Sequence, residues 1–453
     1  MMPGAGGTEE SAESLSRQAW WVIAVLALGA AISYVDRQSL ALVSEPLRHD
    51  LGFSDTQIGA LYGGFAVFYA VASLPLAWVV DRFSRRHVIA WGVVVWAFAT
   101  MSFGIVQGFF AMYLARILVG IGEASLVPAT YSIFGDALPR SRLPFAMNLF
   151  HVGAVAGSGF AFVFGGWVVT SLRHQPMVTL PVFGDIFAWQ LLFFYVGLPA
   201  LILVPLLFTF KEPTRRKSES QLTGIPPGSW RGVWQFYRHN WQLVLLHHLG
   251  ATSLLLLGYS FVFWTPSFFE RVHGLAAEQA SVYFGVIFVI AGVSGCIVSA
   301  WVSQRHYDRG ALEAPLLIPM YCSLLLLPII GLIQVVTSLP WIFALYVPAM
   351  FLINSPYGLL QGAMIQIAPP EIRARIAAVY MMFTALGNAV GPSIIGMLND
   401  DAFPGADGIR YSMLVMCGVF GLGGVLMLAA AKGRFARRLA EVIENDKLRS
   451  RPA

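Results

Sequence analysis

Twelve apolar stretches, each long enough to cross the hydrocarbon of a bilayer, follow one another along the chain at about 18–43, 56–80, 88–107, 109–137, 143–171, 188–210, 240–268, 279–303, 314–337, 340–368, 376–398 and 411–431. Lipid offers backbone groups no hydrogen-bond partner, so a spanning segment must be a helix or part of a closed barrel. Barrel strands are short and alternate in polarity, and these stretches do neither. An all-α integral membrane protein with twelve transmembrane helices is therefore expected. Only 12% of the residues are charged, about half the share in soluble domains, and that excludes a soluble fold.

Lys and Arg gather in the loops and tails on the side of the two chain ends, and only Arg48, Arg173, Arg271 and Arg410 fall in loops opposite. By the positive-inside rule both termini are cytoplasmic and the protein is a multi-pass protein of the cell membrane. The same rule accounts for the net charge of +5, so no nucleic-acid partner is implied. Cys296, Cys322 and Cys417 stand in separate apolar segments, without CxxC or Cys/His spacing, which indicates neither a disulfide framework nor a metal site.

A polar interruption carrying Lys211, Arg215, Arg216, Lys217 and Pro226-Pro227-Gly228 divides the spans into two sets of six. The expected organisation is a cytoplasmic tail over 1–17, a six-helix bundle over 18–210, a linker over 211–239, a second bundle over 240–431 and a basic cytoplasmic tail over 432–453. Trp230, Trp234, Tyr237 and Trp241 recur at helical spacing, as in a short interfacial helix or an aromatic belt. In the tail, Lys432, Arg434, Arg437 and Arg438 flank a stripe of Phe435, Leu439, Val442 and Ile443. That pattern fits an amphipathic helix on the inner leaflet or an ordinary stop-transfer tail.

The halves are weakly alike. Pro139-Arg140-Ser141-Arg142, followed by Gly153, Gly157 and Gly159, is matched about 230 residues later by Pro370-Glu371-Ile372-Arg373-Ala374-Arg375, followed by Gly387 and Gly391. Parallel repeats of this kind characterise one class of secondary transporter, with substrate bound near the midplane between the halves.

Charges inside the spans carry the chemistry. Each costs roughly 2.5 to 3.5 kcal/mol at a helix centre on insertion scales, so such residues face a polar cavity or a partner. The first span holds Asp36 and Arg37 beside Ser33 and Tyr34, and the fourth holds Arg116 and Glu123. Adjacent residues point about 100° apart, and residues seven apart share a face but stand about 10 Å apart along the axis. Neither helix can neutralise its own charges well. Carboxylates of one helix should therefore meet guanidiniums of the other across a shared cavity. Asp36 and Glu123 are the candidate proton carriers, with Arg37 and Arg116 as charge partners or contacts for an anionic headgroup.

At the end of the second span stands Asp81-Arg82-Phe83-Ser84-Arg85-Arg86-His87. Asp81, Arg82 and Arg86 read as a conformational latch, the carboxylate lying at a neighbouring helix N-terminus where the helix dipole favours it. His151, Asn354, Tyr357, Gln361 and Asn388 are candidate cavity-lining residues, although each fits a helix-helix hydrogen bond as well. Glu212, His247 and His248 lie near the inner interface and need no special role.

Two levels of resemblance attach to these residues. Ala77, Asp81-Arg82, Ser84 and Arg85-Arg86 resemble the loop motif between helices 2 and 3 of the major facilitator superfamily, with Ala and Ser where Gly is usual. Tyr34-Val35-Asp36-Arg37, Val119-Gly120-Ile121-Gly122-Glu123-Ala124-Ser125, Gly135-Asp136-Ala137-Leu138-Pro139 and Lys211-Glu212-Pro213 together resemble the Spinster family of lysolipid and sphingosine-1-phosphate transporters. In the second half the likeness thins to Phe263-Trp264-Thr265-Pro266 and Leu386-Gly387-Asn388-Ala389, with Asn388 where the family tends to have an acidic residue.

These readings imply a carrier of two six-helix halves that works by alternating access. The expected driving force is a proton gradient, without a cofactor. The resemblance implies an amphipathic lipid-like substrate, a lysophospholipid or sphingoid phosphate; membrane lipids are the expected surroundings and a monomer the working unit. The alternatives are a drug or small-metabolite carrier and a uniporter of the same fold. A membrane-embedded lipid enzyme is the rival from another class, but no GxSxG, HExxH or GxxxxGK[ST] string is present.

Overall fold

The computed structural model describes residues 16–138, 143–172, 177–181, 184–214, 230–369 and 372–449. Among them, twelve helices are long and apolar enough to cross a membrane: α1 (Arg17–Leu42), α2 (Asp55–Val80), α3 (Arg85–Phe103), α4 (Phe109–Ala137), α5 (Leu149–Leu172), α6 (Ala188–Phe208), α7 (Trp241–His273), α8 (Glu278–Asp308), α9 (Ala314–Val335), α10 (Leu339–Ile367), α11 (Arg375–Ala402) and α12 (Gly408–Glu444). With an even number of spans, both chain ends lie on one face, called here the terminal face. The opposite face is the far face.

Local chemistry sets the helix ends. Ser16 accepts a hydrogen bond from the Ala19 amide at 3.1 Å to cap α1, and Ser54 and Gln57 form a reciprocal capping box on α2. Gly52 and Gly274, at φ +68° and +63°, close the helices before them in the left-handed conformation that glycine tolerates.

Of the spans that a turn interrupts, α4 and α10 are broken at matching places. α4 consists of Phe109–Glu123 and Leu126–Ala137, and α10 of Leu339–Asn354 and Pro356–Ile367. Pro128 cannot donate to the Ala124 carbonyl four residues earlier and its ring crowds it, which accounts for the first break, and Pro356 acts likewise in the second. The breaks fall about 230 residues apart, the same offset as the paired loop strings.

Two elements depart from the expected pattern. Between α5 and α6, β1 (Met177–Leu180) and β2 (Gly184–Phe187) pair antiparallel, Met177 opposite Phe187. This far-face hairpin is held by buried Ile186 and by the Thr179 hydroxyl donating to Asp185 at 2.5 Å. The second departure is α12, which continues through the basic tail instead of ending near 431. Its Phe435 and Leu439 are buried in one apolar cluster with Val233, Phe236, Leu316, Ile367 and Ile376. The stripe thus packs on protein, not on lipid. The helix Trp230–His239 supplies Val233 and Phe236 to that cluster and leaves Trp230 and Trp234 exposed, as an interfacial helix would.

The halves meet along α2 with α11 and α5 with α8. A Cβ on Gly59 would lie 2.7 Å from the Ser393 Cα, one on Gly63 2.6 Å from the Ala389 carbonyl, and one on Gly159 2.9 Å from the Gly285 carbonyl. Such close approach needs small residues. The other glycines of the sequence stripes act inside a half: Gly153 and Gly157 against α1, Gly387 and Gly391 against α7. The Phe162 and Phe284 rings add an edge contact between α5 and α8 at 4.8 Å. Among the described residues these inter-half contacts gather toward the far face, so the molecule is closed there.

Candidate functional site

The four intramembrane charges come together as two cross-helix pairs. Arg116 Nη1 on α4 donates to Asp36 Oδ1 on α1 at 3.0 Å, and Arg37 Nε on α1 donates to Glu123 Oε2 on α4 at 2.8 Å. The Thr100 hydroxyl of α3 donates to Asp36, and the Ser33 hydroxyl donates to Glu123 Oε2 at 2.7 Å. Asp36, Arg116 and Glu123 are each 1% exposed. The Arg37 side chain keeps an accessible edge of 11%, and its guanidinium lies 4.6 Å from both the Tyr34 and the Tyr69 ring centroids, within cation–π range. Satisfaction is incomplete: Glu123 Oε1 and Arg116 Nε and Nη2 are buried without a hydrogen-bond partner among the described residues. Each such atom costs about 1 to 3 kcal/mol. A proton on Glu123 would remove its charge from the pair and give that atom a hydrogen to donate.

The remaining candidates divide. Asn388 of α11 is half-buried and faces Tyr62 of α2 across the halves. His151 is exposed on α5, its Nε2 3.3 Å from the Tyr131 hydroxyl. Gln361 is half-buried on α10. Asn354 serves packing instead: its Nδ2 donates back to the Met350 carbonyl at 2.8 Å, and Gly292 of α8 lies against it. The side chains of Asp81 and Tyr357 lie outside the described residues.

At the terminal face the ionic cluster centres on Arg85, which is absent from the latch expected in the sequence. Arg85 is fully buried. It donates through Nη1 to Asp136 and to Ser132 O at 3.1 Å, through Nε to Glu212 Oε1 at 2.9 Å and through Nη2 to Pro213 O at 2.5 Å. The carboxylate at the N-terminus of α3 is that of Glu212, which accepts from the Arg85 amide at 2.9 Å and the Ser84 hydroxyl at 2.5 Å. Burial alone would raise the Glu212 carboxyl, but these bonds and the Arg85 charge outweigh it and hold the group at about 2. Arg86 donates to Phe210 O at 2.6 Å, while Arg82 is exposed and lies over the Trp78 ring at 4.0 Å. Glu212 therefore has the structural role denied it from sequence. Lys211-Glu212-Pro213 and Gly135-Asp136 were available signals, both being among the strings of the family resemblance.

His247 and His248 are likewise not interfacial bystanders. Both are buried in α7, His247 Nε2 lying 3.0 Å from Leu360 O and His248 Nε2 3.2 Å from the Tyr237 hydroxyl. They tie α7 to α10 and to the Trp230–His239 helix.

A third ionic cluster, on the far face, joins the halves and has no precursor in the sequence reading. Arg271 of α7 donates through Nε to Glu45 Oε1 at 2.7 Å, and through Nη1 and Nη2 to the two Asp55 oxygens at 2.5 and 2.7 Å. Asp400 of α11 accepts from the Asp55 and Thr56 amides at 3.2 and 2.7 Å, capping α2 from the other half. Asn399 donates to Asp55 at 2.9 Å, and the Ser44 and Ser267 hydroxyls lie 2.9 Å apart. The signal was a lone Arg at the end of an apolar span, on the same face as the segment between the first two apolar stretches that carries Glu45 and Asp55.

Comparison with known proteins agrees with this architecture. An efflux pump of the major facilitator type from Mycolicibacterium smegmatis is 28% identical over 94% of this chain and 95% of its own length. Protein spinster homolog 3 from Danio rerio is 25% identical over 94% of this chain and 87% of its own. The crystal structure of a bacterial homolog to the human lysosomal transporter Spinster, inward-facing and unoccupied, superposes with a TM-score of 0.75 at 21% identity, covering 95% of this chain and 99% of that one. The sequence profile of the Major Facilitator Superfamily matches residues 26–392, and with it the chain belongs to that superfamily, a twelve-span secondary transporter and not an enzyme.

Proposed function

We propose that this carrier moves an amphipathic, lipid-like anion of the lysophospholipid or sphingoid phosphate type through the cell membrane by alternating access, driven by protons and with both termini in the cytoplasm. The observation that carries the reading is the asymmetry of charge. Asp36, Arg37, Arg116 and Glu123 lie deep in the first half, whereas the charged residues of α7–α12 stand near the helix ends or in the tail part of α12 beyond 431. A site between such walls offers a headgroup contact on one side and an apolar surface on the other, which suits a molecule with one charged end. A proton on Glu123 dissolves its ion pair with Arg37. The freed guanidinium, already reachable along one edge, can then hold a phosphate. The Glu123 carboxylate and the anionic substrate thus compete for the same cation, and a proton on Glu123 turns the competition toward the substrate. Tyr34, Ser33 and Asn388 are the neighbouring polar contacts of this site, and Asp81, Arg82 and Arg86 belong with Arg85 to the latch at the terminal face.

The likeness to Spinster proteins supports the lipid class. The mycobacterial efflux pump favours a second reading, a carrier of small amphipathic drugs through the same site. Uptake into liposomes under an imposed pH gradient tests both. Lysolipid flux that is gradient-driven and lost in Glu123→Gln supports the proposal, and drug flux without lysolipid flux transfers it to the second reading. Lysolipid flux that is indifferent to the gradient ends the proton-coupled reading.

A further inference from the structure

We propose that Glu45, His49 and Glu270 form a site for a divalent transition-metal cation of the Zn²⁺ class, which clasps the two halves together at the far face. Glu45 and His49 stand one turn apart in the helix Ser44–Leu51, hence on the same side of it. Glu270 lies near the end of α7, in the other half. One donor atom from each residue lies within 4.8 Å of the other two.

Glu45 gives the independent sign that something is bound. The residue is 1% exposed and its Oε1 takes the bond from Arg271. Its Oε2 is buried without a hydrogen-bond partner among the described residues; His49 Nε2 and Arg48 Nη1 each lie 3.7 Å away, beyond hydrogen-bond reach. A bare carboxylate oxygen aimed at an imidazole, with a second carboxylate beside it, has the donor set of a zinc site, which takes His nitrogen and carboxylate oxygen at about 2.0 to 2.2 Å. Tetrahedral geometry then asks for donors about 3.4 Å apart. The His49 side chain is 63% exposed and the Arg48 side chain 42%, so the imidazole can turn in and the guanidinium can swing out. Asp55 offsets the charge of Arg271 behind the site. Mg²⁺, which keeps its water and prefers oxygen, suits this set poorly.

The donor set is complete only while the far face is closed, because Glu270 leaves with the second half. A bound cation therefore favours the closed far face and slows the opening that a transport cycle needs.

Thermal melting of the detergent-purified protein tests it without any transport assay. About 100 µM Zn²⁺ should raise Tm by about 5 °C while Mg²⁺ leaves it unchanged. His49→Gln, on an exposed side chain, should keep the metal-free Tm and flux yet need at least about tenfold more Zn²⁺ for the same shift. Glu270→Gln, judged against its own metal-free Tm, should likewise need at least about tenfold more Zn²⁺ for the same shift. In liposomes, Zn²⁺ on the far side should slow flux about fivefold in the native protein and leave His49→Gln unaffected. An equal Zn²⁺ shift in both variants, or no shift up to about 1 mM, overturns the site. Loss in His49→Gln with full retention in Glu270→Gln overturns the clasp.

Discussion

Replacing Glu212 by Gln tests whether a single carboxylate joins the ends of three helices. It accepts from the Ser84 hydroxyl, the Arg85 amide and Arg85 Nε, and it lies 3.7 Å from Arg86 Nε. The folded carboxyl is held at about 2 instead of the ordinary 4.5, a difference worth about 3 kcal/mol unscreened and about 1.5 to 2 kcal/mol once solvent at this site is allowed for. Gln keeps one acceptor but loses the charge facing a fully buried Arg85, so Tm should fall by about 5 °C at pH 7. Because the folded value lies below the unfolded one, the carboxylate's contribution is complete above about pH 4.5 and fades as pH drops toward 2. The gap between native protein and variant should therefore shrink by more than half at about pH 3. Melting in detergent, followed by tryptophan fluorescence at pH 7, 5 and 3, reads both effects. Equal Tm values at pH 7, or a gap that does not narrow with acid, would refute the reasoning.

Asp36→Asn and Glu123→Gln should each cut gradient-driven uptake at least about tenfold while substrate exchange without a gradient persists; unaltered gradient-driven uptake would remove that carboxylate from coupling. Gly63→Leu puts a side chain where even a Cβ would lie 2.6 Å from the Ala389 carbonyl. Far-face closure should then fail and flux drop more than about tenfold, so normal flux would show that this contact does not form in the cycle. Arg271→Ala removes the guanidinium that Asp55 and Glu45 share, and a Ser267→Cys reporter, fully buried in the native structure, should react with a membrane-impermeant maleimide about ten times faster in that background. An unchanged labelling rate would mean that Arg271 does not hold the gate.

The parts legible in the sequence are those where one residue contradicts its surroundings. Asp36, Arg37, Arg116 and Glu123 stand out because each is a charge inside an apolar run, and helix geometry alone sends the carboxylates of one helix to the guanidiniums of the other. Arg85 gives no such contrast. It sits among other basic residues at a helix end, where the positive-inside rule already explains every one of them, and only packing distinguishes the buried Arg85 from the exposed Arg82. Arg271, Glu45 and Asp55 escape for the same reason, since charges at span ends are ordinary until two halves close over them. The continuation of α12 was hidden because a basic stripe beside Phe435 and Leu439 fits a lipid surface as well as the helix Trp230–His239, and periodicity carries no information about which of these covers it.

The matched breaks in α4 and α10 bear on how the cycle is powered. Each half interrupts the corresponding helix at the corresponding turn, but the residue at the first break is Glu123 and at the second Asn354. The hinge is duplicated; the charge is not. Under the proton coupling proposed above, the gradient acts directly on the first half, and the second follows as a counterweight through the packing of α2 on α11 and of α5 on α8. Asn354→Asp would give the counterweight an actuator, turning a one-stroke carrier into one whose two halves answer to the same ion.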